Sequence, residues 1–490
     1  MSIIKSLTSL VLLAGTSITL AAEQPNIVIL FCDDLGYGDV QILNPERGKI
    51  PTPHLDQMAR DGMIFTDAHT GSSVCTPTRY GLLTGRYSWR THLQQGVVQG
   101  YADNLIAADR PTIASTLQQA GYHTAIIGKW HLNFQYQAPK SGETLKPANG
   151  ATPPVGAIIP DGPTTRGFDY FHGFHHARSM EAVIDQNEVI AHDPTINMLP
   201  RITEKSIAYI TERAQQKDTP FFLYVPYGSP HTPIVPTPEW QGKSGISPYA
   251  DFVMQNDHSV GQILQSLEDH GLTDNTLVFF FSDNGCSKAA NFKTLEAAGH
   301  YASAQYRGSK ADLWDGGHRV PFIVKWPGKI QKGSTSSQLI CATDLFATLC
   351  EVTNTSQPEK SAEDSISFLP AFSHNEIPTT RQGIIHHSIS GHFAYRSGKW
   401  KLLLAPASAG WTKDKGVNVK ELPGVQLYDM EQDPSETTNL QAQHPEVVKD
   451  LLAKLNNDVY SGRSTKGPAS PNDYQKIKLW KSKKPAHLPE

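Results

Sequence analysis

Four segments of this chain share a pattern that leaves few folds open. Each is a near-continuous apolar, β-branched run, and each ends at once in residues capable of chemistry. The run at 26–32 leads into Asp33-Asp34, and that at 122–127 into Gly128-Lys129-Trp130-His131. The run at 221–227 leads into Gly228-Ser229-Pro230-His231, and that at 277–282 into Asp283-Asn284-Gly285. Runs without polar alternation suit strands covered on both faces, as in a parallel α/β sheet. Amphipathic helix patterns lie between them. The stretch 112–120 has Ile113 and Leu117 on one face, and 249–270 has Val253, Val260, Ile263, Leu264 and Leu267. In open α/β sheets ligands bind beyond the carboxyl ends of the strands, so the four polar ends converge on one candidate site.

The expected fold is therefore α/β, a large, mostly parallel sheet flanked by helices. Its 490 residues leave room for a smaller second unit. Beyond a boundary placed within 370–381 the pattern changes to short strands at 383–388, 392–397 and 399–404. A helix follows at 445–459, with Pro445 in its first turn and Val448, Leu452, Leu455 and Val459 on one face. This predicts a C-terminal α+β unit with an antiparallel sheet. The expected division is 1–22, 23–378 and 379–490. The Pro-, Gly- and Thr-rich stretch 139–167 reads as a long surface loop, and the Lys- and Pro-rich tail after Ser461 as a loose wrap.

Residues 1–22 read as a secretory signal, with Lys5, an apolar run over 7–20 and small residues at Ala21-Ala22. The run is too short and too rich in Ser and Thr for a membrane span, and no later stretch spans a bilayer. The expected location is secreted or periplasmic, without membrane insertion. Lys and Arg number 43 against 47 Asp and Glu, so no basic field exists for nucleic acid. Five cysteines are too few for a disulfide scaffold, and their odd count sets one thiol apart. Cys32 and Cys286 follow similar strands; buried free thiols are the default for both, although a pair is not excluded.

The remaining segment is Cys75-Thr76-Pro77-Thr78-Arg79, continued by Tyr80-Gly81-Leu82-Leu83-Thr84-Gly85-Arg86. It is a Cys opening a stretch that can be helical, with a cation close by. An Arg and a helix N-terminus would each lower a thiol pKa. On that ground a reactive and a structural Cys stand about level.

This segment resembles the modification motif of the type I, formylglycine-dependent sulfatase family of the alkaline phosphatase superfamily, Cys-X-Pro-Ser-Arg followed by Leu-Thr-Gly. It matches at Cys75, Pro77, Arg79, Leu83, Thr84 and Gly85, and departs at Thr78, which keeps the hydroxyl. The resemblance runs from Pro25 to about Val459. It implies oxidation of Cys75 to formylglycine by a maturase during export. Asp33-Asp34 and Asp283-Asn284 resemble the family's calcium ligands, an oxygen-only set that suits Ca²⁺, completed by residue 75. Gly128-Lys129-Trp130-His131-Leu132 resembles a family motif whose last Gly is Asn133 here. The Ser229-Pro230-His231 segment and the Lys310 loop, with Gly316-Gly317-His318-Arg319-Val320-Pro321 after it, resemble two more. Leu427-Tyr428-Asp429-Met430 resembles the family's C-terminal strand.

The resemblance implies roles. Arg79 and Lys129 hold the nucleophile, His231 and Lys310 stand at the leaving oxygen with His231 as the acid, and His131 takes the last proton. The implied activity is hydrolysis of sulfate esters of a sulfated carbohydrate, with a carrageenan-type galactan placed first and glycosaminoglycan and ulvan behind. His172, His175, His176, Arg178, Trp314, His318 and His392, with His387, are the expected sugar contacts. The rival readings are a phosphonate or phosphodiester hydrolase of the same superfamily and an inactive sulfated-glycan-binding protein.

Overall fold

The computed structural model describes residues 24–145, 152–373, 381–486 and 488. The expected signal segment (1–22), part of the long loop (146–151) and most of the expected boundary (374–380) lie outside the described residues. Strands are β1 (Asn26–Asp33), β2 (Met63–Phe65), β3 (Ala68–His69), β4 (His123–Lys129), β5 (Tyr170–Phe174), β6 (Ala182–Asp185), β7 (Glu188–His192) and β8 (Phe221–Pro230). They continue as β9 (Thr276–Ser282), β10 (Phe322–Lys325), β11 (Ser334–Ser336), β12 (Ile340–Cys341), β13 (Ile384–His387), β14 (Phe393–Ser397), β15 (Trp400–Leu403) and β16 (Gln426–Asp429). Helices are α1 (Pro53–Asp61), α2 (Cys75–Thr84), α3 (Ile113–Gln119), α4 (Met198–Arg213), α5 (Pro248–Asp269), α6 (Phe292–Ala297), α7 (Leu345–Val352) and α8 (Pro445–Tyr460).

A ten-stranded mixed sheet has the order β11-β2-β10-β9-β1-β8-β4-β5-β6-β7. The four runs singled out in the sequence are its adjacent centre, β9-β1-β8-β4, and every pair among those neighbours is parallel. Strand β1 shows why such a run must be apolar throughout. Ile27, Ile29 and Phe31 enter one core with Leu82 and Leu83 of α2, Ile113 and Leu117 of α3 and Leu345 of α7. Val28, Leu30 and Cys32 enter the other with Leu55 of α1, Ile202 of α4 and Val253 and Ile263 of α5. Successive side chains point to opposite faces, and helices cover both. Parallel register aligns the strand ends, with Cys32 opposite Ser282 and Asp33 opposite Pro230.

The C-terminal strands form the expected antiparallel sheet, in the order β13-β14-β15-β16. Val448, Leu452, Leu455 and Val459 of α8 pack on Ile385, Tyr395, Leu402 and Leu427, and Tyr87 and Trp89 from the segment after α2 join the same core. The tail does not wrap loosely. Ile477, Leu479 and Leu488 are buried in this core, and Arg86 binds Asp473 while Arg90 binds Asn472. Its few apolar residues hold it down, and buried arginines of the segment after α2 fix its polar ones. Among the described residues no helix is long and apolar enough to cross a membrane.

Candidate active site

Cys75 is the first residue of α2, and the motif around it is accounted for by folding as well as by chemistry. The Thr78 hydroxyl donates to the carbonyls of Ser72 and Val74 behind the turn, so Thr serves where Ser is usual. Leu82 and Leu83 are buried in the core. Gly85 ends the helix in the left-handed region at φ 65°, where a Cβ would meet the Ala362 Cα at 2.7 Å. Only Gly satisfies both demands. Asn133, standing where the resembling motif has Gly, likewise has φ 65°, a conformation Asn tolerates better than most residues.

Three carboxylates and three cations meet below Cys75. Lys129 at the end of β4 is bonded to Asp33, and Lys310 Nζ lies 2.5 Å from Asp34 Oδ1. Arg79 Nη2 lies 3.0 Å from Asp283 Oδ2 and 3.5 Å from Asp33 Oδ2, while its Nη1 donates to the Lys129 carbonyl at 3.1 Å. All six are buried. Asp34 N donates to Asp283 Oδ1 at 3.1 Å, joining the ends of β1 and β9. Burial alone would raise Asp33, yet Lys129, His231 and Arg79 hold it well below the usual carboxylate range. Burial and the Asp33 charge push Asp283 above that range. Burial would lower Lys310, but Asp34, Cys75 and Asp33 raise it, so its ammonium stays charged.

Two acceptors in this cluster are left over. Asp33 Oδ1 and Asn284 Oδ1 are buried without a hydrogen-bond partner. The Asn284 amide is oriented by Nδ2 donating to Asp34 Oδ1 and Gly285 O, which fixes Oδ1 as its free atom. Uncompensated buried acceptors are costly. Carboxylates and a carbonyl oxygen are the donor set of a hard cation such as Ca²⁺. Asp33, Cys75 and Asp283 bring ligand atoms within 4.8 Å of one another, as do Asp33, Asp34 and His231. The residues fit such a cation.

The thiol behaves differently from the sequence expectation. Burial raises the Cys75 pKa, and Lys129 and Lys310 offset that only in part. Desolvation of a thiolate outweighs the helix terminus and the nearby cations. Burial at position 75 therefore works against the thiolate form of an unmodified Cys. The other four cysteines, Cys32 and Cys286 among them, are also free and buried.

Two imidazoles complete the ring around Cys75. His131 Nε2 donates to the Val98 carbonyl at 3.1 Å, so Nδ1 carries the lone pair, and that atom is buried without a partner. Burial, Lys129 and His175 hold His131 well below the usual imidazole range, which keeps it neutral. His231 Nδ1 donates to the Thr232 carbonyl at 2.6 Å, and its Nε2 is 3.7 Å from Asp34 Oδ2. Burial lowers His231 and Asp34 opposes it.

Cys75, Lys129, His131, His176, Arg178, His231 and Lys310 line one cavity of about 230 Å³. A larger cavity, about 660 Å³ around Arg319 and Arg396, contains none of them. Several expected sugar contacts do not reach the site. His172 is buried against Asp185. Trp314 is buried and donates to Gln426. His175 is buried behind His131, giving its carbonyl to His131 N and its ring to Phe134. His387 uses its carbonyl to hold Ser72 and Ser73, and His392 faces Ser482 of the tail. His318 sits in a buried trio with His69 and His386. Its ring stacks on His386 at 3.7 Å and 11°, and its Nδ1 lies 3.0 Å from His69 Nδ1, so it is engaged in the core away from the cavity. Sequence adjacency to Lys310 misplaced Trp314 and His318, because the chain turns inward there to bury Asp315 against Lys401 and Arg319. The sequence reading missed Gln99, Ile389 and Trp411, which line the cavity from distant loops; no local pattern marks them.

A family model described as Sulfatase matches residues 25–355. A second, described as N-sulphoglucosamine sulphohydrolase, C-terminal, matches residues 309–461. An N-acetylgalactosamine-6-O-sulfatase of Bacteroides thetaiotaomicron is 33% identical, covering 89% of this chain and 93% of that protein. A solved 6S-sulf structure, from work on metabolism of multiple glycosaminoglycans by Bacteroides thetaiotaomicron, has a TM-score of 0.77 and 29% identity, covering 89% and 99% of the two chains. A sulfatase-fold structure solved in complex with k-i-k-neocarrahexaose has a TM-score of 0.72 at 24% identity over 91% and 95%, a likeness of fold alone.

Proposed function

This chain belongs to the sulfatase family, and from that premise we propose that it is an exported Ca²⁺-dependent sulfatase acting on a sulfated carbohydrate. It is a sulfuric ester hydrolase by family. The observation that carries the finer reading is the cluster of Arg79, Lys129 and Lys310 with Asp33, Asp34 and Asp283 beside Cys75. A divalent cation would add two positive charges to it, a suitable complement to an anionic ester and an anionic nucleophile. The cation would be held by Asp33, Asp34, Asp283 and Asn284 with residue 75, and would supply charge stabilisation and orientation of the ester. Formylglycine at position 75, installed by a maturase, would supply an oxygen nucleophile that the raised thiol does not.

The chain's own groups divide the proton work. Lys310, held charged by Asp34, is a fixed cation for the sulfate and a poor proton donor. His231 has an imidazole pKa lowered by burial but opposed by Asp34. A bound sulfate charge favours its protonated form, in which it can serve as acid to the leaving alcohol. His131, neutral with Nδ1 free, is suited to accept a proton at residue 75. Arg79 and Lys129 hold that residue and its developing charge. Arg178, at the mouth, would contact the sugar, while His176, whose ring nitrogens are taken by the Gln99 carbonyl and Arg178 N, holds that segment in place.

The relative and the structure with 29% identity favour a 6-sulfated hexosamine of a glycosaminoglycan over the carrageenan-type galactan placed first from sequence. The test is sulfate release from 6-sulfated N-acetylgalactosamine saccharides, carrageenan oligosaccharides, and phosphodiester and phosphonate esters. The reading requires the first to be turned over fastest, and faster phosphodiester or phosphonate turnover would overturn it.

A further inference from the structure

The catalytic cavity has one wall that no motif announces. Trp411 comes from the C-terminal strand region, about a hundred residues after Lys310, yet it lines the same cavity as Cys75, His231 and Lys310. It is one of the few large apolar side chains left open, at 38% exposure. An aromatic face left open on the wall of a cavity is suited to stack against a ring-shaped occupant.

The backbone beneath this ring is fixed. Asp312, two residues after Lys310, accepts from Trp411 N at 2.8 Å and Thr412 N at 3.0 Å through Oδ1. Its Oδ2 accepts from Ser309 N at 2.9 Å and from the Thr412 hydroxyl at 2.5 Å. The Ser408 hydroxyl donates to the Thr412 carbonyl at 2.7 Å and accepts from Gly410 N at 3.1 Å. Gly410 lets the two loops touch, since a Cβ there would meet Ala311 O at 2.3 Å and Asp312 Oδ1 at 2.4 Å. Lys288 Nζ lies over one face of the indole, 5.2 Å from its centroid. One loop therefore carries Lys310 at the cavity floor, and its buried carboxylate holds the Trp411 loop above.

The cavity volume, about 230 Å³, is below the range of roughly 300–1,000 Å³ usual for pockets that enclose a drug-sized ligand. It has room for a small unit, and whatever is attached to that unit must leave past the exposed rim. We propose that Trp411 is a stacking platform for the sugar next to the one bearing the sulfate ester, so that the enzyme discriminates an oligosaccharide from a free monosaccharide. Arg178 and Gln99, bonded to each other at 3.3 Å, supply hydrogen-bonding groups at the same mouth. An indole held in place offers its face to sugar C–H groups at little entropic cost, and the fixed Asp312 contacts reduce the ordering needed on binding. This inference rests on the carbohydrate reading given above.

The test compares KM and kcat for a 6-sulfated monosaccharide and for an oligosaccharide carrying the same sulfated unit. For Trp411→Ala the KM for the oligosaccharide should rise about ten-fold with kcat held, the scale of one lost aromatic contact. The monosaccharide KM should change far less, so that the ratio of the two KM values rises about ten-fold, and the fold of the variant is checked separately by its melting temperature. Trp411→Phe should recover most of the loss. Equal loss on both substrates, or none on either, would overturn the platform and leave the carbohydrate reading intact. Wild-type turnover of aryl sulfates but of neither saccharide would overturn both.

Discussion

Arg79→Met separates a structural ion pair from a cation-binding cluster. Arg79 is fully buried, its charge divided between Asp283 at 3.0 Å and Asp33 at 3.5 Å. Methionine refills much of the volume but leaves three buried carboxylates facing only Lys129 and Lys310. Breaking a buried pair by removing one partner costs about 3–5 kcal/mol. Unfolding entropy near 60 °C is about 2.1 cal/mol/K per residue, or roughly 1 kcal/mol/K for a chain of this length, so the melting temperature should fall by about 3–5 °C. Differential scanning fluorimetry in chelator measures that drop. Added Ca²⁺ should then stabilise both proteins, by about 2.7 kcal/mol at a hundred times its Kd, and the variant more, because its cluster carries one more uncompensated negative charge. The gap between the two should narrow. A gap indifferent to Ca²⁺, with no Ca²⁺-dependent shift in the wild type, would refute the cation-binding account of Asp33, Asp34, Asp283 and Asn284.

Other parts of the structure give sharper local tests. Lys401 is buried between Asp315 at 2.7 Å and Glu436 at 2.8 Å, so Lys401→Met should cost about 3–5 kcal/mol in denaturant unfolding; an unchanged midpoint would contradict that role. Truncation after Ser461 removes Ile477, Leu479 and Leu488 from the C-terminal core and, at about 1.5–3 kcal/mol per buried aliphatic side chain, should lower the melting temperature by several degrees. A tail that only wraps loosely would leave it unchanged. Asp458, which accepts from the Tyr395 hydroxyl at 2.9 Å, is pushed up to about 6 by burial. The native state thus keeps a proton that the unfolded chain releases near pH 4, and the stability this group contributes is lost as pH rises from about 4 through 6. Asp458→Asn should flatten that part of the melting-temperature profile, and an unaltered slope would assign it elsewhere.

The centre of the fold was legible because burial on both faces demands uninterrupted apolar runs, and β9, β1, β8 and β4 met that demand. Their parallel register then carried Asp33, Asp283, His231 and Lys129 to one edge without further assumption. The rim was not legible, because it depends on side-chain direction and on contacts across a hundred residues. Trp314 and Trp411 illustrate the difference. The first follows Lys310 closely but turns into the core toward Gln426, while the second is remote in sequence and is brought back by Asp312. The Cys75 thiol shows a different limit: sequence reveals the nearby Arg and the helix start, but not the burial that outweighs them.

The most direct measurement relates sulfate release to the chemical state of position 75. Protein is prepared with graded formylglycine content, by varying co-expression of a formylglycine-generating maturase, and occupancy at residue 75 is read by peptide mass spectrometry. The account predicts that initial rates on a 6-sulfated N-acetylgalactosamine oligosaccharide rise in proportion to occupancy and extrapolate to zero at none. Full activity from protein whose residue 75 is entirely unmodified Cys would contradict it.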